Sequence, residues 1–271
     1  MIGDLKLIVI DNFFKHPDVV RNFAFSAPFS KSWQHTQLLP GVRALQILDM
    51  PDLYKFYEQL LYNYYDEKKY KIDYTKFSMV GFQAVNSDFR DEFAGLENSD
   101  ENAKGLQTSF VPHTDTAAFD KFCGHQWATT IWLNLPEECN GGTAFWKNKI
   151  TDTQTFLDKP SNEKHIPKKS MCSWSYRKSF KYMEKEFKKW DDKWKDIDDY
   201  DKYIKEFKKS LQLKEKRTWW TESNEYWELV DVTKMKYNRM ILYSSYYWHN
   251  QYIKDRNWFI DFPRIQMQNF F

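Results

Sequence analysis

The run from Ala128 to Asn134 is made of β-branched, aromatic and small apolar residues, and a second such run starts at Thr143 and continues to Trp146. Between them stand Pro136, Asn140, Gly141 and Gly142. Branched and aromatic side chains pack well on a pleated surface and lose rotamer freedom in a helix, so both runs read as strands. The proline and the Asn-Gly-Gly cluster read as the turn between them. A hairpin is thus expected here, beside the His113 to Asp115 stretch. Arg239 to Ser244 is another short apolar run, and Arg264 to Gln268 alternates polar and apolar residues with a period of two. Strands are also expected over residues 4–14 and from Phe77 to Val85.

Helical spacing occurs in three places. Pro17 to Phe25 reads as a short helix whose start is marked by His16-Pro17 or by Asp18, and Pro51 to Tyr64 puts Leu53, Phe56, Leu60 and Leu61 on one stripe. Further along, apolar residues from Met183 and Phe187 to Phe207 and Leu211 recur mostly at three- and four-residue steps, which predicts two amphipathic helices broken near Asp198-Asp199. They form a charged helical insertion at about 150–225 in a chain that otherwise reads as a single domain over residues 1–271. The lysine-rich face of the insertion reads as solvated surface. Two roles stay open for the insertion itself: a lid over a site, or a contact that makes a homo-oligomer. Asn86 to Lys104 is polar and turn-rich.

Composition narrows the function classes. Forty basic against 38 acidic side chains, a net charge of +2, give no reason to expect a nucleic acid or an anionic membrane as a standing partner. Cys123, Cys139 and Cys172 include no Cys-x-x-Cys, so neither a disulfide framework nor a zinc ribbon is indicated. Met1 to Lys6 lacks the basic start and apolar stretch of a signal peptide, and no run reaches the length of a membrane span; a cytoplasmic protein is expected. There is no Gly-x-Gly-x-x-Gly and no Walker-type loop, which removes the usual nucleotide-cofactor readings. Aromatic residues make up 19% of the chain and are expected mainly to fill the core. Those near the candidate ligands, Trp132, Trp146, Tyr246 and Trp248, are open to a second use as the lining of a substrate cleft.

The candidate chemistry lies in His113-Thr114-Asp115, in His249 at the far end of the Arg239 to Ser244 run, and in the late cation Arg264. Two imidazoles and one carboxylate are the ligand set of an open non-haem iron site, which leaves half an octahedron for a co-substrate and oxygen. In a strand alternate side chains share a face, so His113 and Asp115 can turn toward one point, while His249 must be brought there by the fold. His125, close by in Cys123-Gly124-His125-Gln126, reads as part of the loop entering the next strand, and His16, His35 and His165 have no partner pattern.

Pro112 to Asp115, Ile131 to Asn134 leading into Gly141 to Phe145, Asn238-Arg239 to Tyr243, His249, and Arg264 ahead of Phe270-Phe271 together resemble the Fe(II)- and 2-oxoglutarate-dependent dioxygenases, particularly the prolyl-4-hydroxylase-like branch. The resemblance covers about 111–146 and 237–271; Val9 to Phe14 and Pro40 to Arg43 look like the opening of some uncharacterised members. It implies an α+β fold, a double-stranded β-helix (jelly-roll, cupin-like) core flanked by helices, with the insertion between core strands. It also implies Fe(II) held by His113, Asp115 and His249, 2-oxoglutarate as co-substrate with its distal carboxylate on Arg264 and a hydroxyl contact from Thr130, and O2 as oxidant. The expected reaction is hydroxylation of a small molecule or peptide, with release of succinate and carbon dioxide. The family often has Tyr where Trp132 stands, and an indole does not reproduce the phenol's hydrogen bond in full. Asp115 argues against the related halogenases, which carry a small residue there. Two other classes compete: a catalytically silent β-helix protein that binds a ligand or partner, and a divalent-metal hydrolase using the same two His and one Asp, which would want an adjacent general base and no 2-oxoglutarate cation.

Overall fold

The computed structural model describes residues 7–29, 42–46, 50–65, 79–85, 112–115, 127–149, 152, 154, 219–245 and 247–271. Two α-helices, α1 (Pro17–Ser26) and α2 (Pro51–Tyr65), accompany the strands β1 (Ile8–Ile10), β2 (Val42–Gln46), β3 (Met79–Val85), β4 (Trp127–Trp132), β5 (Gly142–Asn148), β6 (Trp227–Lys234), β7 (Met240–Ser244), β8 (His249–Tyr252) and β9 (Arg264–Phe270). One sheet has the order β1-β7-β4-β9-β3-β2 and the other β6-β5-β8, with every pairing antiparallel. Helices beside antiparallel sheets make this an α+β protein, as expected.

The expected hairpin does not form. β4 and β5 are sequence neighbours in different sheets: β4 is flanked by β7 and β9, so both its edges are taken, while β5 lies between β6 and β8. The connection carries the chain across instead of folding it back. Asn134 ties its start to β9, donating from Nδ2 to the Pro263 carbonyl at 2.9 Å and accepting the Ile265 N–H on Oδ1 at 2.7 Å. A 3-10 turn over Pro136–Glu138 follows. The Glu138 carboxylate accepts the Leu135 N–H at 3.0 Å and pairs with Arg21 of α1 at 3.1 Å. Gly141 then takes a left-handed φ of 74°.

The first strand is shorter than the expected 4–14 because Asn12 turns the chain with a φ of 54°. Phe13 and Phe14 then donate their N–H groups to the backbone and side-chain oxygens of Asn238. α1 has Pro17 at its start, where a missing N–H costs nothing, but His16 gives no side-chain cap and the Asp18 carboxylate instead accepts the Tyr237 hydroxyl. α2 keeps its expected start, but its buried stripe differs: Tyr54 and Tyr57 join Leu60 and Leu61 inside, whereas Phe56 is 42% exposed. Tyr57 tolerates burial because its hydroxyl is partnered, by Asn269 Nδ2 at 2.8 Å, while its ring stacks on Phe271 at 4.8 Å.

Two apolar cores result from the alternation of side chains across the larger sheet. One holds Ile131, Leu242, Ile265 and Met267 against Tyr54, Tyr57 and Leu61 of α2. On the other face Ala128, Trp132, Ile241, Tyr243 and Phe270 share a core with Phe145 of the smaller sheet. No helix among the described residues is long and apolar enough to cross a membrane. The helices expected between Met183 and Leu211, and the polar stretch Asn86 to Lys104, lie outside the described residues.

Candidate metal centre

His249 opens β8 opposite Phe145 of β5, and on its other side it pairs with His113 in an antiparallel bridge. The His113 N–H donates to the His249 carbonyl at 3.0 Å and the His249 N–H to the His113 carbonyl at 2.9 Å. Directly opposed residues of an antiparallel pair project to one face, and the residue two positions along joins them. This is why His113, His249 and Asp115 converge. The Asp115 N–H is in turn fixed on the Ser245 carbonyl at 3.1 Å, just beyond the end of β7.

The Asp115 carboxylate spans the two rings, with Oδ2 at 3.2 Å from His249 Nε2 and Oδ1 at 3.9 Å from His113 Nε2. One ligand atom from each residue lies within 4.8 Å of the others. A divalent ion bound at about 2.0–2.2 Å wants its donors roughly 3.0–3.4 Å apart. The His249–Asp115 edge has that span, the His113 edges are wider, and two imidazoles with a carboxylate suit a metal of the imidazole and carboxylate preference. The orientation is also that of a ligand. His249 Nδ1 sits 2.9 Å from the Tyr247 carbonyl, which places the ring hydrogen there and leaves Nε2 free to face Asp115. Burial alone would pull His249 down, but the Asp115 charge, its hydrogen bond and the Tyr247 carbonyl together raise it above its ordinary value. Among the described residues no other group of His, Cys, Asp or Glu side chains could hold an ion.

Arg264, at the first position of β9, is 1% exposed. Its partners are neutral: Nη1 donates to the Gln266 side chain and Nη2 to the Gly142 carbonyl at 3.2 Å. Gln266 passes the arrangement on, donating to Gln83 Oε1 at 2.8 Å, which also accepts Gln251 Nε2 at 3.3 Å. Among the described residues no acidic side chain pairs with Arg264 and its Nε meets no acceptor. Burial pushes the guanidinium down to about 9. Among the described residues this buried cation thus has no counter-charge, a costly state unless an anion joins it.

Tyr243 stands between the two groups. Its ring meets the His249 ring edge-on at 4.9 Å and the Phe145 ring at 5.3 Å, and its hydroxyl hydrogen-bonds Thr130. Burial pushes this phenol well above its usual range and the charge of Asp115 adds to that, while the Thr130 hydrogen bond and Arg264 act the other way. Thr130 is therefore inside, on the same strand face as Trp132 and beside Tyr243.

The structure brings His113, Asp115 and His249 together and turns Thr130 and Arg264 into the interior. Of the aromatics open to a cleft-lining role, Trp146 and Trp248 instead pack with Trp227 in a separate cluster. Trp132 faces the shared core, and Tyr246, like His125, lies outside the described residues. The sequence reading missed Tyr243 as a site residue, along with the glutamines that hold Arg264. Tyr243 was legible only as a strand position of the same parity as Ile241, both turned from the face that Met240 and Leu242 present to the helices. No family model matches the chain, and no curated protein matches it.

Proposed function

We propose that this protein is a non-haem Fe(II)- and 2-oxoglutarate-dependent dioxygenase, a hydroxylase built on a double-stranded β-helix core. The observation that carries the reading is the pairing of a two-histidine, one-carboxylate cluster with a buried arginine that has no carboxylate partner among the described residues, joined through Tyr243 and Thr130. His113, Asp115 and His249 would hold Fe(II), which supplies oxygen activation coupled to the decarboxylation of 2-oxoglutarate to succinate. Three protein donors would hold the ion while leaving it accessible to a keto acid and O2. Arg264 would receive the distal carboxylate, its planar fork suiting a carboxylate edge. The protein's own part is orientation: Tyr247 fixes the His249 tautomer, Gln266 and Gly142 aim Arg264, and the apolar side chains of Phe145, Ile241 and Phe270 keep the interior dry.

The direct test is succinate formation by the purified chain supplied with Fe(II), 2-oxoglutarate and air. Slow turnover without a substrate is expected, lost when His113, Asp115 or His249 is replaced by Ala. A chain that binds iron yet makes no succinate under any supplied substrate supports a hydrolase or a silent binding protein instead.

A further inference from the structure

β5 extends the face of the metal centre beyond its three ligands. Phe145 is opposite His249 of β8 on one side and opposite Asp231 of β6 on the other, and His249 is itself opposite His113. Directly opposed residues of antiparallel strands share a face, so His113, His249, Phe145 and Asp231 form one row across the sheet. Two contacts fix the side. Val232, the next residue of β6, packs with the tryptophans on the opposite face, and Thr233, two residues from Asp231 and of the same parity, donates its hydroxyl to Asp231 Oδ2 at 3.5 Å. The register of β5 on β6 shifts immediately past this row, between Phe145 and Trp146, and leaves Val230 as an extra residue beside Asp231. A bulge of this kind bends its strand and re-aims a side chain, and bulges gather next to active sites.

Asp231 is thus a second carboxylate on the face that carries Asp115, with a different duty. Strands are about 4.8 Å apart, which puts Asp231 roughly 10 Å from His249 along the row, too far to ligate the same ion. It is half-buried, and among the described residues it pairs with no Lys, Arg or His; its partner is the neutral hydroxyl of Thr233, itself buried. Solvent also reaches the other end of the row, where the His113 and Asp115 side chains are 16% and 14% exposed. An ionised carboxylate only accepts hydrogen bonds, and one drawn partly out of water without a cation is costly. A ligand that brings both N–H donors and a positive charge offsets that cost, whereas an anionic one adds to it. We propose that Asp231 binds the charged end of the substrate, and that this end is an aliphatic ammonium or guanidinium, as in a lysine or arginine side chain. The inference rests on the dioxygenase reading, which supplies the reaction at the other end of the row. A flexible stem of several methylenes below a charged head spans such a separation: the head meets Asp231 and the stem is led toward the ion.

The test uses blocked amino acids that differ only in the side chain, the N-acetyl methylamides of lysine, arginine and norleucine. Each is titrated by calorimetry, under nitrogen, into the full chain supplied with Fe(II) and 2-oxoglutarate. At least one basic probe should bind about tenfold or more tightly than the norleucine probe, the size of one charge-assisted hydrogen bond. Asp231→Asn keeps the shape of the side chain and its acceptor for Thr233, and should erase that preference while leaving the norleucine affinity and Fe(II) binding unchanged. Asp231→Glu should restore part of it, which a merely structural carboxylate would not do. A wild type with no preference for either basic probe overturns the proposal, as does a preference that survives Asp231→Asn. Succinate formation without any probe judges the dioxygenase reading separately. If succinate forms and the preference is absent, this inference alone falls; if none forms while an Asp231-dependent preference is measured, the reaction was misread and the cation seat stands.

Discussion

Arg264 and Arg239 show how the same side chain acquires opposite duties from its surroundings. Arg239 is spoken for: its Nε donates to Asp11 Oδ1 at 2.6 Å and its Nη2 to Oδ2 at 3.1 Å, while Lys236 adds a third contact at 2.8 Å. Among the described residues Arg264 meets only amide and carbonyl oxygens. Arg264→Ala should therefore weaken 2-oxoglutarate by at least about tenfold, since a hydrogen bond to a charged group contributes roughly 1.5–3 kcal/mol, while Fe(II) binding survives. Arg239→Ala should leave both unchanged, as read by titration under nitrogen. Asp11 gives a pH signature in turn. The hydrogen bonds from Arg239 and Lys236 hold its carboxyl far below the usual range. A depressed folded pKa means that the contribution is present above the unfolded value and fades as the pH falls through it toward the folded one. Asp11→Asn should cost about 0.5–1 kcal/mol at pH 7, an exposed pair being worth no more. The urea midpoints of the two proteins should then converge as the pH drops below about 4. A constant gap down to pH 2 would mean that the loss is not electrostatic. At this scale the sequence was informative about His113 and Asp115, whose two-residue spacing settles their common face. It was silent on the roles of Tyr243 and Gln266, which depend on cross-strand neighbours more than 100 residues away in sequence.

Strand type was legible at the level of elements, while strand partnership was not. The β-branched and aromatic runs became β4, β5, β7 and β9 nearly where expected, because side-chain shape acts locally. The turn residues after Asn134 also turned the chain, yet into the opposite sheet, since what decides pairing is which neighbour fills each edge. In α2 the expected stripe of Leu53, Phe56, Leu60 and Leu61 holds at Leu60 and Leu61, while Phe56 is outside and Tyr54 and Tyr57 are inside, where the β9 side chain Asn269 meets the Tyr57 hydroxyl. Two substitutions probe the crossing. Asn134→Ala removes the side chain that fastens β4 to the start of β9 and strands the Ile265 N–H, so a loss of about 2–3 kcal/mol is expected, with weaker 2-oxoglutarate binding because Arg264 adjoins that anchor. At Gly142 an added Cβ would lie 2.1 Å from the Thr233 carbonyl oxygen. Only backbone movement between β5 and β6 relieves that, so Gly142→Ala should cost at least about 1–3 kcal/mol. It should also disturb the Gly142 carbonyl on which Arg264 Nη2 rests. Thermal melts that match wild type for either variant would refute the packing argument.

The whole molecule places its long insertion on a closed doorway. Asn148 of β5 is opposite Trp227 of β6, the Lys149 N–H donates to the Tyr226 carbonyl at 2.8 Å and Lys149 Nζ to the Asn224 carbonyl at 2.6 Å. The chain thus leaves and re-enters the smaller sheet at adjacent points, and the strands that carry the site do not need the insertion to find each other. Replacing residues 155–218 with a short Gly/Ser linker should leave that junction intact. Loop entropy favours the shorter connection by about 2 kcal/mol, because closure cost grows with the logarithm of length. What the truncation should remove is a function of the helices predicted from the apolar spacing between Met183 and Leu211. An amphipathic pair of that length must bury its stripe on something, and under the proposed dioxygenase reading water would have to be kept from the metal. The truncated protein is therefore expected to bind Fe(II) and 2-oxoglutarate as the full chain does while its succinate yield no longer tracks substrate oxidation. Tight coupling in the truncated chain would assign the insertion to contacts between copies, which sedimentation of the two forms would then show as a change of mass.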